Sequence, residues 1–258
     1  MKPTLLSPRA VLALLTLLVL ASCQKYDVFD SNTFYGPQVK MGNGKIRSFA
    51  TLERFTNKPL ALGFELDKNA LTNLPGTTTD GIEEFEYVAP LHPKAVQSTL
   101  FTHLVANWNP NGHFPGPYLL PHFDFHCYMI SEQVRAAITA TDPKSVAPIA
   151  AGYLPSTYIG PLGPEAKMGG HCVDVTSPEL NGGSFTQTLV YGAYDGKVAF
   201  YEPMITYDFL QSTTHQTFPI KQPLKYSVDG YYPTQYSITR SDGNTYVSLE
   251  GFEKRTAN

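Results

Sequence analysis

Short turn motifs separate many runs of alternating apolar and polar residues, and this spacing limits the fold more than any other feature. The clearest motif is Ser-Asp-Gly-Asn at 241–244, between the strand-like runs 236–240 and 246–252. Asp-Gly between two alternating runs is a strong signal for a hairpin turn. Further turn signals occur at 42–44, 56–59 and 194–196. Asp67 is a candidate N-cap for a short helix predicted at 68–74, and the Pro- and Gly-rich residues 141–170 are predicted to form a long loop. Successive hairpins with two or three short helices predict a mainly β (α+β in detail) fold, an antiparallel β-sandwich or barrel.

The composition agrees with a β fold and argues against one class of partner. The chain has 16 Tyr, 15 Phe, 20 Gly and 21 Pro but only 16% charged residues, which suits short strands and many turns. The net charge is −3, and the Lys and Arg residues are scattered. We therefore expect no nucleic-acid partner. We expect residues 35–258 to form a single mostly β domain.

Residues 1–22 have the organisation of a bacterial lipoprotein signal peptide. Lys2 and Arg9 precede the uncharged apolar run 10–20, which is too short to span a bilayer as a helix. The sequence Leu-Ala-Ser-Cys then ends at Cys23, whose thiol is the expected site of lipidation. Gln24 in the next position favours sorting to the outer membrane. An ordinary signal peptide, cut without lipidation, is the alternative.

The predicted mature chain is therefore extracytoplasmic and attached to the membrane through the lipid on Cys23. Residues 23–34 are predicted to form the lipidated cysteine and a flexible tether. Cys127 and Cys172 remain as an even pair in an oxidising compartment, which predicts a disulfide. Two free buried thiols are the alternative.

The segment 121–130 reads Pro-His-Phe-Asp-Phe-His-Cys-Tyr-Met-Ile and is predicted to be a strand. Because side chains alternate across a strand, one face carries His122, Asp124, His126 and Tyr128. The opposite face carries Phe123, Phe125, Cys127 and Met129 and resembles an ordinary core face. Three ionisable groups in register on the first face are unusual, because burying them without a partner is costly.

A metal ion is the partner that best accounts for these groups, and two later residues add ligands. His171 follows two flexible glycines, and Glu202 lies in the apolar strand 197–205. The predicted cofactor is a divalent metal ion of unknown identity. The predicted ligands are His122, Asp124, His126, His171 and Glu202. A hydrogen-bonded polar network without an ion, or exposed histidines on a half-solvated sheet, is the alternative.

Spacing along the strand limits how these ligands can share one ion. Residues two apart lie about 6.6 Å from one another, whereas residues four apart lie about 13 Å from one another. His122 and His126 therefore share one ion only if the strand bulges or twists strongly. Asp124 and His126 are predicted to lie nearest the ion. His103, Asn107 and His113 are predicted to surround the ligands without binding the ion.

Several of these motifs together resemble an uncharacterised family of secreted bacterial proteins. The motif is Pro-His-Phe-Asp-x-His at 121–126, with related segments at 42–44, 107–110, 112–113 and 202–204, and the resemblance covers most of residues 35–210. The family has no established activity to carry over. Aromatic residues are usual in that family where this chain has Cys127 and Cys172. A weaker similarity is to cupins, which bind metal through three His and one Glu, although the spacing differs.

Three functions remain open on the sequence. The first is a metal-binding lipoprotein, whether or not it is an enzyme. The second is a non-catalytic surface module that binds a small molecule, a glycan or a protein, and the third is a structural envelope protein. No Gly-x-Ser-x-Gly motif, phosphate-binding loop or dinucleotide fingerprint is present, so nucleophilic and nucleotide-dependent catalysis have no support.

Overall fold

The computed structural model describes residues 30–76, 84–114 and 116–258. Residues Ser31–Asn258 form one compact unit. The predicted signal peptide, Cys23 and residues 24–29 of the predicted tether lie outside the described residues. Residues 31–34 were also expected in the tether, but they lie in the strand Ser31–Tyr35, which pairs with residues 49–53.

Sixteen strands and three short α-helices make up most of the described chain. The helices are α1 (Pro93–Ser98), α2 (Glu132–Ala137) and α3 (Tyr207–Ser212). In chain order the strands are β1 (Ser31–Tyr35), β2 (Val39–Met41), β3 (Gly44–Glu53), β4 (Pro59–Leu66), β5 (Phe85–Pro90), β6 (His103–Asn109), β7 (His122–Tyr128), β8 (Tyr158–Glu165), β9 (Gly169–Asp174), β10 (Gln187–Tyr194), β11 (Lys197–Thr206), β12 (His215–Pro219), β13 (Gly230–Tyr232), β14 (Gln235–Ser241), β15 (Asn244–Glu250) and β16 (Glu253–Arg255). None of the described helices is long and apolar enough to cross a membrane.

The strands form two large antiparallel sheets and one small one. The first sheet has the order β1-β3-β4-β15-β14-β12, with β2 also paired to β3. The second has the order β5-β6-β7-β11-β10-β9-β8, and β13 pairs with β16. Phe64 of β4 and Phe125 of β7 pack against each other with ring centroids 5.1 Å apart, so the large sheets share one core. The predicted mostly β fold is confirmed as a sandwich-like arrangement, not a closed barrel.

Two Asp-Gly turns set the register of two hairpins, as the sequence predicts. Asp242 and Gly243 have φ values of 52° and 82° and join β14 to β15. Asp195 and Gly196 have φ values of 52° and 72° and join β10 to β11. Positive φ at both central residues matches the right-handed twist of the flanking strands, which explains the preference for Asp and Gly here.

Two local predictions were wrong. The short helix expected at 68–74 is a series of turns, because the Asp67 carboxylate accepts a hydrogen bond from the Asn69 amide at 2.9 Å and closes a turn. The long loop expected at 141–170 contains β8. β8 is an edge strand with two register shifts, and an edge position tolerates Pro161 and Pro164 because it leaves one side of the backbone unpaired.

The predicted disulfide is also wrong, because Cys127 and Cys172 are free buried thiols. Cys127 lies opposite Tyr201 on β11, Tyr201 lies opposite Tyr191 on β10, and Tyr191 lies opposite Cys172. The two cysteines are thus three strand spacings apart, about 14 Å at roughly 4.8 Å per spacing. A disulfide needs Cα atoms within about 7 Å.

Candidate metal centre

Strand β7 is buried on both faces. Phe123, Phe125 and Cys127 enter the core between the two large sheets, as the alternation predicts. His122, Asp124 and His126 lie on the opposite face of the sheet, yet each is at most 1% exposed. Two small apolar clusters outside the main core pack against this polar row. The cluster near His122 contains Phe185, Val190 and Met204 with Tyr118 and Val173, and the cluster near His126 contains Val105, Tyr128 and Phe200 with Met168.

Three of the predicted ligands come together at a point that we call site 1: His126, His171 and Glu202. They come from β7, β9 and β11, so three strands of one sheet hold them. His126 Nε2 is 3.5 Å from Glu202 Oε1, and His171 Nε2 is 3.5 Å from Glu202 Oε2. Three ligand atoms lie within 4.8 Å of one another, close enough to hold a single ion.

The other two predicted ligands, His122 and Asp124, join His113 in a separate cluster that we call site 2. His122 Nε2 is 3.2 Å from Asp124 Oδ1, and His113 Nε2 is 3.5 Å from Asp124 Oδ2. Three ligand atoms of this group also lie within 4.8 Å of one another. The structure therefore divides the five predicted ligands between two clusters, and it places His113, expected only near the ligands, among the candidate ligands.

Several buried polar atoms at site 1 have no hydrogen-bond partner. Both ring nitrogens of His126 and Oε2 of Glu202 are in this state. Leaving a buried donor or acceptor unpaired costs about 1–3 kcal/mol for each group. Side chains of this kind persist when a ligand satisfies them, and neutral imidazole with carboxylate is a donor set that fits a divalent transition metal.

Gly192 of β10 leaves room for the Phe200 ring, which packs against two ligands of site 1. It lies opposite His171 on β9 and Phe200 on β11. A Cβ atom at Gly192 would lie 2.0 Å from the Phe200 ring. That ring packs against the rings of His126 and His171, with centroids 4.9 and 5.6 Å away.

We expect Gly192→Ala to destabilise the metal-free protein by about 1–3 kcal/mol, because the added methyl group overpacks the site and displaces Phe200. It should also weaken metal binding at site 1. Gly76→Ala is the matched control, since a Cβ at Gly76 meets no atom within 4 Å. Urea unfolding of both variants measures the difference, and equal stability would contradict this role for Gly192.

The metal-free sites carry different charges. At site 1 burial lowers the pKa of His126 to about 3 and that of His171 to about 4, and it raises the pKa of Glu202. At site 2 burial alone would raise the pKa of Asp124, but His122 outweighs it and lowers the pKa to about 2. Burial therefore favours the neutral form of all three ligands at site 1, and a metal ion there competes with protons for Glu202.

A cavity of about 480 Å³ borders both sites. Its walls include one histidine and the carboxylate from each site: His113 with Asp124, and His171 with Glu202. Glu84 also lines it, and burial, followed by repulsion from Asp124, raises the pKa of Glu84 to about 7. An ion at either site would thus face a space large enough for a small molecule.

The remaining predicted residues lie close to the sites but in neither cluster. His103 stacks on Tyr128, with ring centroids 4.7 Å apart, and its Nδ1 is 3.0 Å from Thr102 Oγ1. Asn107 pairs with Asp124 across the sheet, and its buried amide has no hydrogen-bond partner. Asn107 thus lies next to a ligand of site 2, and His103 lies next to Tyr128, whose ring stacks on that of His126.

Sequence reasoning missed the acids of the cavity wall, Glu84 and Glu165. Glu84 lies two residues before Glu86, and this period of two is the signal that could have identified it. Glu86 pairs with Asn107 on the polar face of the sheet. No pattern singled out Glu165, which lies at the end of the irregular strand β8.

No protein-family model, curated protein or solved structure matches the chain. The geometry of the two sites therefore carries the functional conclusion.

Proposed function

We propose that the chain is a lipid-anchored extracytoplasmic protein that binds a divalent transition-metal ion at site 1. The observation that carries the proposal is the convergence of His126, His171 and Glu202 from three strands, with buried ligand atoms that lack hydrogen-bond partners. Each of these residues offers a ligand atom on a rigid element, so little conformational entropy is lost when an ion binds.

The donor set and the cavity describe the kind of ion and its role. Two imidazoles with one carboxylate favour ions such as Zn²⁺, Fe²⁺ or Mn²⁺ over Mg²⁺ or Ca²⁺, which prefer oxygen ligands alone. Three protein ligands leave a coordination position open, as in metal sites that exchange ligands, whereas structural zinc sites use four. The cavity beside His171 and Glu202 gives a small molecule access to that position.

The experiment for site 1 is metal analysis of protein without an affinity tag, reconstituted with Zn²⁺ and dialysed. We expect Glu202→Gln to lose one equivalent of metal that the wild type retains. Glu165→Gln is the matched carboxylate control, because Glu165 lines the same cavity but belongs to neither site. His215→Ala is the histidine control, since His215 is exposed on β12. Absence of metal from the wild type would refute the proposal.

Support for the membrane anchor comes from the sequence around Cys23, which follows an apolar run and the residues Leu-Ala-Ser. We expect Cys23→Ser to leave the chain unlipidated, so that it is found as an unprocessed precursor or in the soluble extracytoplasmic fraction. Palmitate labelling with membrane fractionation measures this. Normal labelling of the variant would rule out lipidation at this cysteine.

A further inference from the structure

Site 2 has its own complete set of candidate ligands. His122 and Asp124 are two apart on β7 and point to the same face, while His113 reaches them from the segment between β6 and β7. His122 Nε2 and Asp124 Oδ1 are buried and face each other at 3.2 Å, with no further hydrogen-bond partner for either atom.

Neighbouring groups hold the two β7 ligands of site 2 in orientations suited to metal binding. His122 Nδ1 lies 2.7 Å from the Leu120 carbonyl oxygen, which can only accept, so Nδ1 keeps a proton and Nε2 is the nitrogen that can bind an ion in the neutral ring. Asn109 Nδ2 donates to Asp124 Oδ2 at 2.7 Å. Bonds of this kind from a carbonyl and an amide fix the tautomer and direction of ligands in metalloproteins.

One ion cannot serve both sites. His122 and His126 are four residues apart on an extended strand, about 13 Å along it. Accordingly, the candidate ligand atoms fall into two groups of three, with no residue in common.

We infer that site 2 binds a second divalent transition-metal ion, and that the two ions border one cavity. The inference builds on the proposed function, because it adds a second ion to the site 1 ion. Each site presents one histidine and one carboxylate to the cavity, so a small molecule there can contact both ions.

The two sites differ in rigidity, which predicts an order of loading. All three ligands of site 1 lie in strands, whereas the His113 side chain of site 2 lies outside the strands and is 44% exposed. Ordering a loop side chain costs conformational entropy. Site 2 is therefore the weaker site and fills second.

Cobalt titration followed by dialysis and metal analysis tests the inference, with the visible Co²⁺ spectrum as a second readout. We expect two equivalents in the wild type and one in His113→Ala, Asp124→Asn and Glu202→Gln. His113→Ala is the decisive variant, because its half-exposed side chain can be removed without opening the core. It should raise the second dissociation constant at least about 10-fold and leave the first unchanged.

The outcomes separate this inference from the proposed function. The second site is refuted, and site 1 supported, if the wild type binds one equivalent that His113→Ala and Asp124→Asn retain and Glu202→Gln loses. No metal in the wild type refutes both. Loss of both equivalents in a folded His113→Ala protein overturns the assignment of two independent sites.

Discussion

Metal binding at site 1 is expected to raise the thermal midpoint of the protein by roughly 8–16 °C. An ion at about 1,000 times its dissociation constant stabilises the folded state by about 4 kcal/mol. In a domain of this size each kcal/mol shifts the midpoint by about 2–4 °C. Differential scanning calorimetry of metal-free and Zn²⁺-loaded protein measures the shift.

Glu202→Gln should remove most of this stabilisation without unfolding the metal-free chain. Burial raises the pKa of Glu202 and so favours its neutral form, which a neutral amide of the same shape resembles. Glu165→Gln should keep the full shift. If Zn²⁺ stabilises Glu202→Gln as much as the wild type, the ion binds elsewhere.

The metal-dependent shift should disappear on acidification. A bound ion requires Glu202 to be ionised, so protons compete with metal at site 1. Because burial raises the pKa of Glu202, the competition begins at a higher pH than for an exposed carboxylate. The metal affinity of site 1 should therefore increase with pH up to the pKa of Glu202 and level off above it. An affinity that does not change with pH would contradict Glu202 as a ligand.

The fold could be predicted largely from local signals. The Asp-Gly turns at 195–196 and 242–243 define their hairpins, and the alternation in 121–130 correctly separates a core face from a polar face. The strand β8 could not be predicted in the same way. Its Pro and Gly residues suppress strand signals, and its pairing with β9 depends on tertiary context.

The site could be predicted in composition but not in arrangement. All five predicted ligands belong to the two clusters. Strand spacing argues against one ion for both His122 and His126, but it does not show which of them His171 and Glu202 join. The predicted disulfide failed because an even pair of cysteines in an oxidising compartment does not determine how far apart the two thiols lie. His126 and His171 both reach Glu202 although their strands are separated by β10 and β11, and the side chains of Cys127 and Cys172 cannot span that distance.

Arg135 supports site 1 from outside the cluster, and we expect Arg135→Ala to destabilise the protein by about 3 kcal/mol. Its guanidinium, almost fully buried on α2, forms an ion pair with Glu86 and lies 5.2 Å from the centroid of the Tyr128 ring. Tyr128 in turn stacks on His126, with centroids 5.5 Å apart. Breaking a buried ion pair costs about 3–5 kcal/mol. The lower value applies because Lys167 Nζ, 3.9 Å from Glu86, can compensate in part.

Lys144→Ala is the matched control for Arg135→Ala, because the Lys144–Asp195 pair has a nitrogen–oxygen distance of 3.2 Å but both side chains are more than half exposed. An exposed pair of this kind contributes little to stability, because water and salt screen the two charges. Urea unfolding of the metal-free variants gives the two free energies. Arg135→Ala should also weaken metal binding. Without the guanidinium packed against its ring, Tyr128 is less firmly positioned, and so is the His126 ring that stacks on it. Equal destabilisation by both substitutions would show that the Arg135–Glu86 pair contributes no more than an exposed one.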